Sequence, residues 1–234
     1  VLNQAEALEQ TLTSIVEQDY HPTQLIVIDG GSAPETITVL KRYSVHLDQL
    51  IIEPDEGIYD AMNKGIQLAK GHWVHFLNAG DCYAYEDSLS ILMESAKRTH
   101  SLVYSDIYLV SGDERTEKQQ SGIYNNGLFT SVCHQSVLYN YKKLKPLFFD
   151  ISYPVSADFD SFLETYYRDP EHFAIHVKEP LIEYQLGGFS DHRLSEIQQE
   201  RKQQFEKRIT NPIIRKLNLL NLKRQVRKHN RSNT

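Results

Sequence analysis

Cysteine is nearly absent from this chain of 234 residues: Cys82 and Cys133 are the whole complement, and they stand in no metal-ligand spacing. That excludes a disulfide framework and a cysteine-based zinc site, and a reducing, cytoplasmic setting is the expectation. Long apolar runs are missing too. Nothing approaches the roughly 18 to 20 residues of a bilayer span, and no secretory signal opens the sequence. Internal repeats and low-complexity linkers are lacking, which leaves one sizeable domain with an appendage as the economical division. Positive charge is short over most of the length. Residues 1–200 hold fourteen Lys or Arg against thirty Asp or Glu, a formal −16. Such a body repels a phosphate backbone, so nucleic acid is not an expected partner.

What is present is ordinary globular material, 40% hydrophobic and 24% charged, with a surplus of tyrosine. Fourteen tyrosines point to surfaces that need aromatic area with a polar tip. The sequence opens at Val1 without a methionine, inside what reads as a strand, so upstream residues are expected. From Arg201 onward the charge reverses, with eleven Lys or Arg and a single acid, Glu206.

The periodicities alternate. Asn3 and Glu6 resemble an N-cap with an acid three residues on, ahead of a helix with Ala5, Leu8, Leu12 and Ile15 on one face. Leu25–Ile28 is a short continuous apolar run, as in a strand buried on both faces. It ends in Asp29-Gly30-Gly31-Ser32, where Ser32 and Glu35 predict a helix through about Tyr43. Leu50–Ile52 reads as a strand. Ile58, Met62, Ile66 and Ala69 form a helical stripe closed by Gly71, which suits a left-handed end. Strands at Trp73–Leu77 and Leu102–Leu109 flank a helix at Leu89–Ala96. Polar Ser111–Asn126 reads as a loop or hairpin. Beyond it come a strand near Ser136–Tyr139, a helix from Asp158 to Arg168, and strands at Phe173–Val177 and Leu181–Leu186. One or two helices fill Leu194–Lys228. Strand-helix alternation through about residue 110 predicts a doubly wound α/β sheet, whose strand carboxyl ends are where ligands bind.

Four places hold groups that can do chemistry. Asp29-Gly30-Gly31-Ser32 sets a carboxylate at a strand end, beside residues that let backbone approach a ligand. Such a carboxylate accepts hydrogen bonds from a base or ribose, and the following helix N-terminus favours phosphate. Taken alone, a turn with Asp29 as its local cap is the better reading. Asn78-Ala79-Gly80-Asp81 is a second such edge, where Asp81 could supply one oxygen ligand to Mg²⁺ or Mn²⁺; a plain turn explains it equally well. Asp158 and Asp160 lie two apart at a helix start and so point in different directions. Either could act as a general base, or both could simply complement the helix dipole. His134, between Cys133 and Gln135, is a functional imidazole at a pocket rim or one more structural histidine among ten.

Their joint occurrence in this order resembles glycosyltransferase family 2, the inverting enzymes with a GT-A fold. LNQAEALEQTLTSIVEQ at 2–18 resembles the family's first helix, with most of the preceding strand missing. IVIDGGS at 26–32 resembles the strand whose acid holds the nucleotide base. EPDEGIYDAMNKG at 53–65 is the most specific match, close to the signature of a subgroup that builds bacterial surface polysaccharides. FLNAGD at 76–81 occupies the place of the metal-binding Asp-x-Asp element, with Asn78 and Gly80 replacing the usual pair of acids. The resemblance covers about 2–190 and is strongest before 82.

It implies Asp158 as catalytic base and Asp81 as ligand of a divalent cation, Mn²⁺ or Mg²⁺. Donor-site residues would be Asn3, Asp29, Gly30, Tyr59, Asp60, Lys64, Asn78, Ala79 and Gly80, with His134, Gly187 and Gly188 on the acceptor side. The implied fold is α/β: a Rossmann-like, mostly parallel central sheet with flanking helices over 1–190, then a basic helical extension over 191–234. The implied donor is a nucleotide sugar, by family habit a UDP-sugar, and the acceptor a saccharide or a lipid-linked one. A sugar nucleotidyltransferase is a competing class, but it should carry a Gly-rich phosphate loop where this chain has Asn-Gln-Ala-Glu. A non-catalytic nucleotide-sugar binder is the third, suggested by the acids missing at 78 and 80. In the tail, Ile209, Ile213, Leu217 and Leu220 form an apolar stripe among Arg208, Arg215, Lys216, Lys223, Arg224, Arg227 and Lys228. Such a helix over 209–228 either lies peripherally on an anionic cytoplasmic membrane face or packs on its own domain or on a partner subunit with a solvated basic face.

Overall fold

The computed structural model describes residues 1–120, 124–125, 128–130, 132–144 and 148–232. Helix α1 (Ala5–Val16) buries Leu8 and Leu12 against β1 (Ile26–Asp29) and α2 (Pro34–Arg42), where Val27, Val39 and Leu40 complete a small core. Asn3 is not the cap of α1: it sits at φ +52, and its Oδ1 accepts the Ala33 N–H at 2.7 Å instead. Ser32 likewise does not cap α2, because Pro34 opens that helix and the Ser32 hydroxyl turns back to Asp29. Strand β2 (Gln49–Ile52) pairs parallel with β1, and α3 (Ile58–Leu68) follows. Gly71 does not take a left-handed end, since α3 closes on an extended Ala69. A side chain at Gly71 would instead press within 3.1 Å of the Trp73 carbonyl.

The larger sheet is mixed. It contains β3 (Trp73–His75), β4 (Cys82–Tyr83), β5 (Leu102–Ser111) and β6 (Glu114–Lys118), with α4 (Ser88–Ser95) between β4 and β5. A short ribbon of β7 (Tyr124–Asn125) and β8 (Leu128–Phe129) precedes β9 (Val137–Asn140), α5 (Tyr141–Leu144), α6 (Ala157–Arg168) and β10 (Ala174–Gln185). The order is β3-β9-β5-β10-β4, and β6 extends the edge of β5 beyond β9. The architecture is the expected α/β one with flanking helices, but parallel pairing is narrower than a mostly parallel sheet: among described strands only β1–β2 and β5–β10 are parallel. β9 runs antiparallel to both neighbours, and among the described residues no α-helix lies between β6 and β9. The stretch expected as a loop or hairpin begins as one, β5 turning into β6; residues 121–123 and 126 of it lie outside the described residues. The two strands expected at the C-terminal side are one, β10, broken in register around Pro180, which cannot donate to the ladder.

Helices α7 (Leu194–Arg208) and α8 (Pro212–Ser232) form the C-terminal part. They share the main core: Phe205 and Ile209 pack with Tyr59, Phe159 and Phe162. Ile209 is wholly buried, so it does not belong to the exposed stripe expected of the tail. Ile213, Leu217 and Leu220 do lie exposed, while Ile214, Leu219 and Leu222 on the opposite side of α8 face the core. The side chains of Arg227 and Lys228 lie outside the described residues.

Candidate functional site

Asp158 sits in the first turn of α6, and Asp160 two residues on faces away from it, toward α7. Arg208 grips Asp160 with two hydrogen bonds, at 3.0 and 2.6 Å. Asp158 takes a different partner: the Tyr59 hydroxyl donates to its Oδ1 at 2.7 Å and also reaches the Val155 carbonyl at 3.1 Å. Burial, then the negative charge of Asp158, lifts the Tyr59 hydroxyl well above 10, so it remains a donor across the working range. Tyr59 also lines a cleft of about 230 Å³ with Gly57, Asp60, Pro154, Phe189 and Arg193. Its walls are the N-terminus of α3, the loop before α6 and the loop after β10. Asp158 is buried behind these walls and joined to the cleft through Tyr59.

The loop into α3 is held by its own side chains. Asp55 Oδ1 accepts the Gly57 N–H at 3.0 Å, and Asp60 Oδ2 accepts the Glu56 N–H at 3.1 Å. Lys64 bridges Glu53 and Asp60, at 2.9 and 3.3 Å, and also reaches the Pro54 carbonyl. Lys64 is thus a clamp on the loop. Gly57, at φ +116, makes the turn that aims the α3 N-terminus at the cleft. Asp29 borders the same loop from β1. Its Oδ1 accepts the N–H groups of Gly31 and Ser32 at 3.1 and 2.8 Å, and Oδ2 takes the Ser32 hydroxyl at 2.6 Å. The carboxylate is fully buried as a turn cap. Gly30 packs so closely on the loop that an added Cβ would lie 2.7 Å from Asp55 Oδ2.

The second edge follows β3. The Asn78 carbonyl accepts the Asp81 N–H and the Thr11 hydroxyl, and Ala79 packs on the small core. Gly80 turns at φ +101, with its N–H bonded to the Ala7 carbonyl and Thr11 Oγ1. Asp81 is buried, and its Oδ1 accepts the Gln185 N–H at 3.0 Å. Burial pushes its carboxyl up to about 7, against hydrogen bonds from the Gln185 N–H and the Gln135 side chain; the charge of Asp191 adds to the rise. Asp191 in turn closes the loop after β10, accepting the Gly187 N–H at 2.7 Å. Gly187 takes φ +89 there, and Gly188 follows it.

Among the described residues no three His, Cys, Asp or Glu side chains form a ready-made metal cage. The donor set nevertheless fits a hard cation of the Mg²⁺ type, which takes one or two carboxylates and draws its other oxygens from water and phosphates. A buried carboxylate whose charge is disfavoured, near a second acid, is what such a cation would relieve.

His134 is not at a rim. It is buried, with Nδ1 against the Tyr139 hydroxyl at 2.7 Å and its ring stacked on Phe76. Burial lowers its imidazole, with Asp158 opposing, and an aromatic shell rather than a cleft surrounds it. Tyr59, Asp60 and Phe189 of the loop after β10 thus line one cleft, and Asp158 is bonded to Tyr59 behind its wall. Asp29 and Asp81 stand on elements next to it with their oxygens engaged, and His134 lies behind it. Sequence reasoning passed over Asp55, Gln135 and Asp191. Only Asp55, inside the 53–65 match, carried a signal.

The family model described as Glycosyl transferase family 2 matches residues 1–158. The chain belongs to that family. Among its family 2 relatives is a PGL/p-HBAD biosynthesis glycosyltransferase of Mycobacterium tuberculosis, 32% identical over 170 residues, covering 68% of this chain and 64% of the relative. The chain thus spans just under two thirds of that relative's length. By fold it is similar to the mannosyltransferase PcManGT of Pyrobaculum calidifontis, solved with GDP-Man and Mn²⁺. The TM-score is 0.68 at 18% identity, over 95% of this chain and 66% of that one. It is also similar to TarS of S. aureus solved with UDP, TM-score 0.66 at 14% identity, over 94% and 68%.

Proposed function

We propose that this protein is an inverting glycosyltransferase that moves a sugar from a nucleoside diphosphate to a hydroxyl of a saccharide or lipid-linked acceptor. The observation that carries the reading is the bond of the buried Asp158 carboxylate to Tyr59, a residue of the cleft wall. In the reaction the acceptor oxygen bonds to the anomeric carbon as its proton passes to Asp158. The bond from that carbon to the phosphate oxygen breaks on the opposite face, and the diphosphate leaves with the electron pair. Membership of glycosyl transferase family 2 supports this assignment, as do the GDP-Man and UDP complexes of proteins with the same fold.

The donor would lie along the ends of β1 and β3, its base near Asp29 and Gly30 with Asn3 beside them. Its diphosphate would face Asn78, Ala79 and Gly80, where Gly80 allows close backbone approach. A divalent cation, when bound at Asp81 with Asp191 nearby, supplies positive charge to the leaving diphosphate. Gly187 and Gly188 would border the acceptor, which fits a role in surface polysaccharide or glycolipid assembly on the cytoplasmic side. The exposed Ile213, Leu217 and Leu220 of α8, flanked by Lys216, Lys223 and Arg224, would rest on an anionic membrane bearing a lipid-linked acceptor. A thermal-shift panel of nucleotide sugars with Mn²⁺, followed by assay of nucleotide release, tests the reading. A shift of several degrees with UDP-sugars, accompanied by UDP release, is expected. Asn78 and Gly80 in place of the usual acids favour a second reading, a binder without turnover; a shift with no release under any condition would establish that instead.

A further inference from the structure

Asp158 is not held by the residues around it in sequence. The N-cap of α6, Ser156, has no capping bond of its own; α7 supplies the partners from 44 and 48 residues away. Glu200 accepts the Ser156 N–H at 2.8 Å, the Ser156 hydroxyl at 2.7 Å and the Val155 N–H at 3.2 Å. Gln204 donates to the Ser156 carbonyl at 2.9 Å. Every polar backbone group of Ser156 is thereby tied to one helix, two residues before Asp158.

Next to Glu200 stands Arg201. Its guanidinium lies over the ring of Phe159 at 4.7 Å, and its buried Nε finds no hydrogen bond among the described residues. Burial lowers Arg201, and the groups that act against this are Asp158 first, then Tyr59 and Glu200. The other titratable groups facing Asp158 are Tyr59 from α3, His134 before β9 and Tyr139 from β9. Among these described neighbours Arg201 is the one fixed positive charge.

We propose that Glu200 and Gln204 of α7 are positioning residues for Asp158: between them they fix the backbone of the turn that carries it. The inference rests on the reading of Asp158 as the base, and it reaches past the segment, 1–158, that the family model covers. Helix α7 is then part of the catalytic apparatus although it touches no reacting atom.

The test is the kinetics of UDP release from whichever UDP-sugar the wild type turns over, with water as acceptor and Mn²⁺ present. Glu200→Ala removes the acceptor of the Val155 and Ser156 N–H groups, and Glu200→Gln keeps much of the cap. Glu200→Ala should lower kcat at least tenfold and leave the donor KM within twofold, and Glu200→Gln should restore most of the rate. If Glu200→Ala does not fold by circular dichroism, Gln204→Leu, which takes the amide donor from the Ser156 carbonyl, decides by the same split. A folded variant with kcat at the wild-type value, or with kcat and KM changing in step, would overturn the proposal. An Asp158→Asn control separates the two levels: full activity in that control sinks the base assignment, whereas an inactive control beside an unimpaired folded variant sinks only the role of α7.

Discussion

The hydroxyl of Tyr59 and the carboxylate of Asp158 meet at 2.7 Å across 99 residues of chain, tying the start of α3 to the start of α6. Tyr59 and the loop before α6 both line the cleft, so this one bond fixes the loop into α3 relative to the proposed base. Tyr59→Phe removes the hydroxyl and keeps the ring among Phe149 and the rest of the main core. A hydrogen bond to a charged group contributes about 1.5–3 kcal/mol, so urea unfolding should show a loss of that order. The rate of transfer should fall with the donor KM nearly unchanged. Equal stability and rate in the variant would remove the link.

If the cation binds at Asp81 as proposed, its affinity should depend on pH. The Asp81 carboxyl, raised to about 7 by burial, is protonated below that point in the free protein, and a cation must displace the proton. Affinity for Mn²⁺ in the presence of UDP should therefore weaken about tenfold for each pH unit below 7, as read by electron paramagnetic resonance. Asp81→Asn should abolish that slope. A flat affinity from pH 5 to 8 would place the cation elsewhere.

His75 titrates in the other direction. Burial between the Tyr83 hydroxyl and the Gln135 carbonyl lowers its imidazole to about 4 from 6.5. Between those values the unfolded chain binds the proton and the folded one does not, so stability is present above pH 6.5 and is lost as pH falls toward 4. The shift corresponds to on the order of 3 kcal/mol. The NMR signal of the ring should titrate near 4, and a midpoint near 6.5 would contradict its burial.

The exposed face of α8 is expected to bind vesicles containing phosphatidylglycerol. Replacing Ile213, Leu217 and Leu220 together by serine should abolish flotation at low salt while the fold survives, because these side chains lie outside the core. Equal flotation of both proteins would exclude this face as a membrane contact.

The sequence was most legible where chemistry is local. The apolar run into Asp29-Gly30-Gly31-Ser32 announced a buried strand and its turn, and the two-residue spacing of Asp158 and Asp160 announced their separate partners. Pairings set by tertiary packing were not legible. His134 reads as a rim residue until Phe76 and Phe149 close around it. Ile209 and Ile213 share a stripe by period, yet one is buried and the other exposed, because α7 ends at Arg208 and α8 starts only at Pro212, which breaks the period between them. Gly71 obeys a helix-end rule in sequence and a crowded carbonyl in space. The contact of Glu200 with Ser156 spans 44 residues and leaves no trace in either local pattern.

The most direct test of the base assignment is Asp158→Asn, assayed for transfer and titrated with the donor nucleotide sugar by calorimetry. Transfer should fall at least a hundredfold while the donor Kd stays within about threefold, as expected when a positioned base is removed and the binding surface is kept. Transfer at the wild-type rate, or loss of donor binding in step with activity, would contradict it.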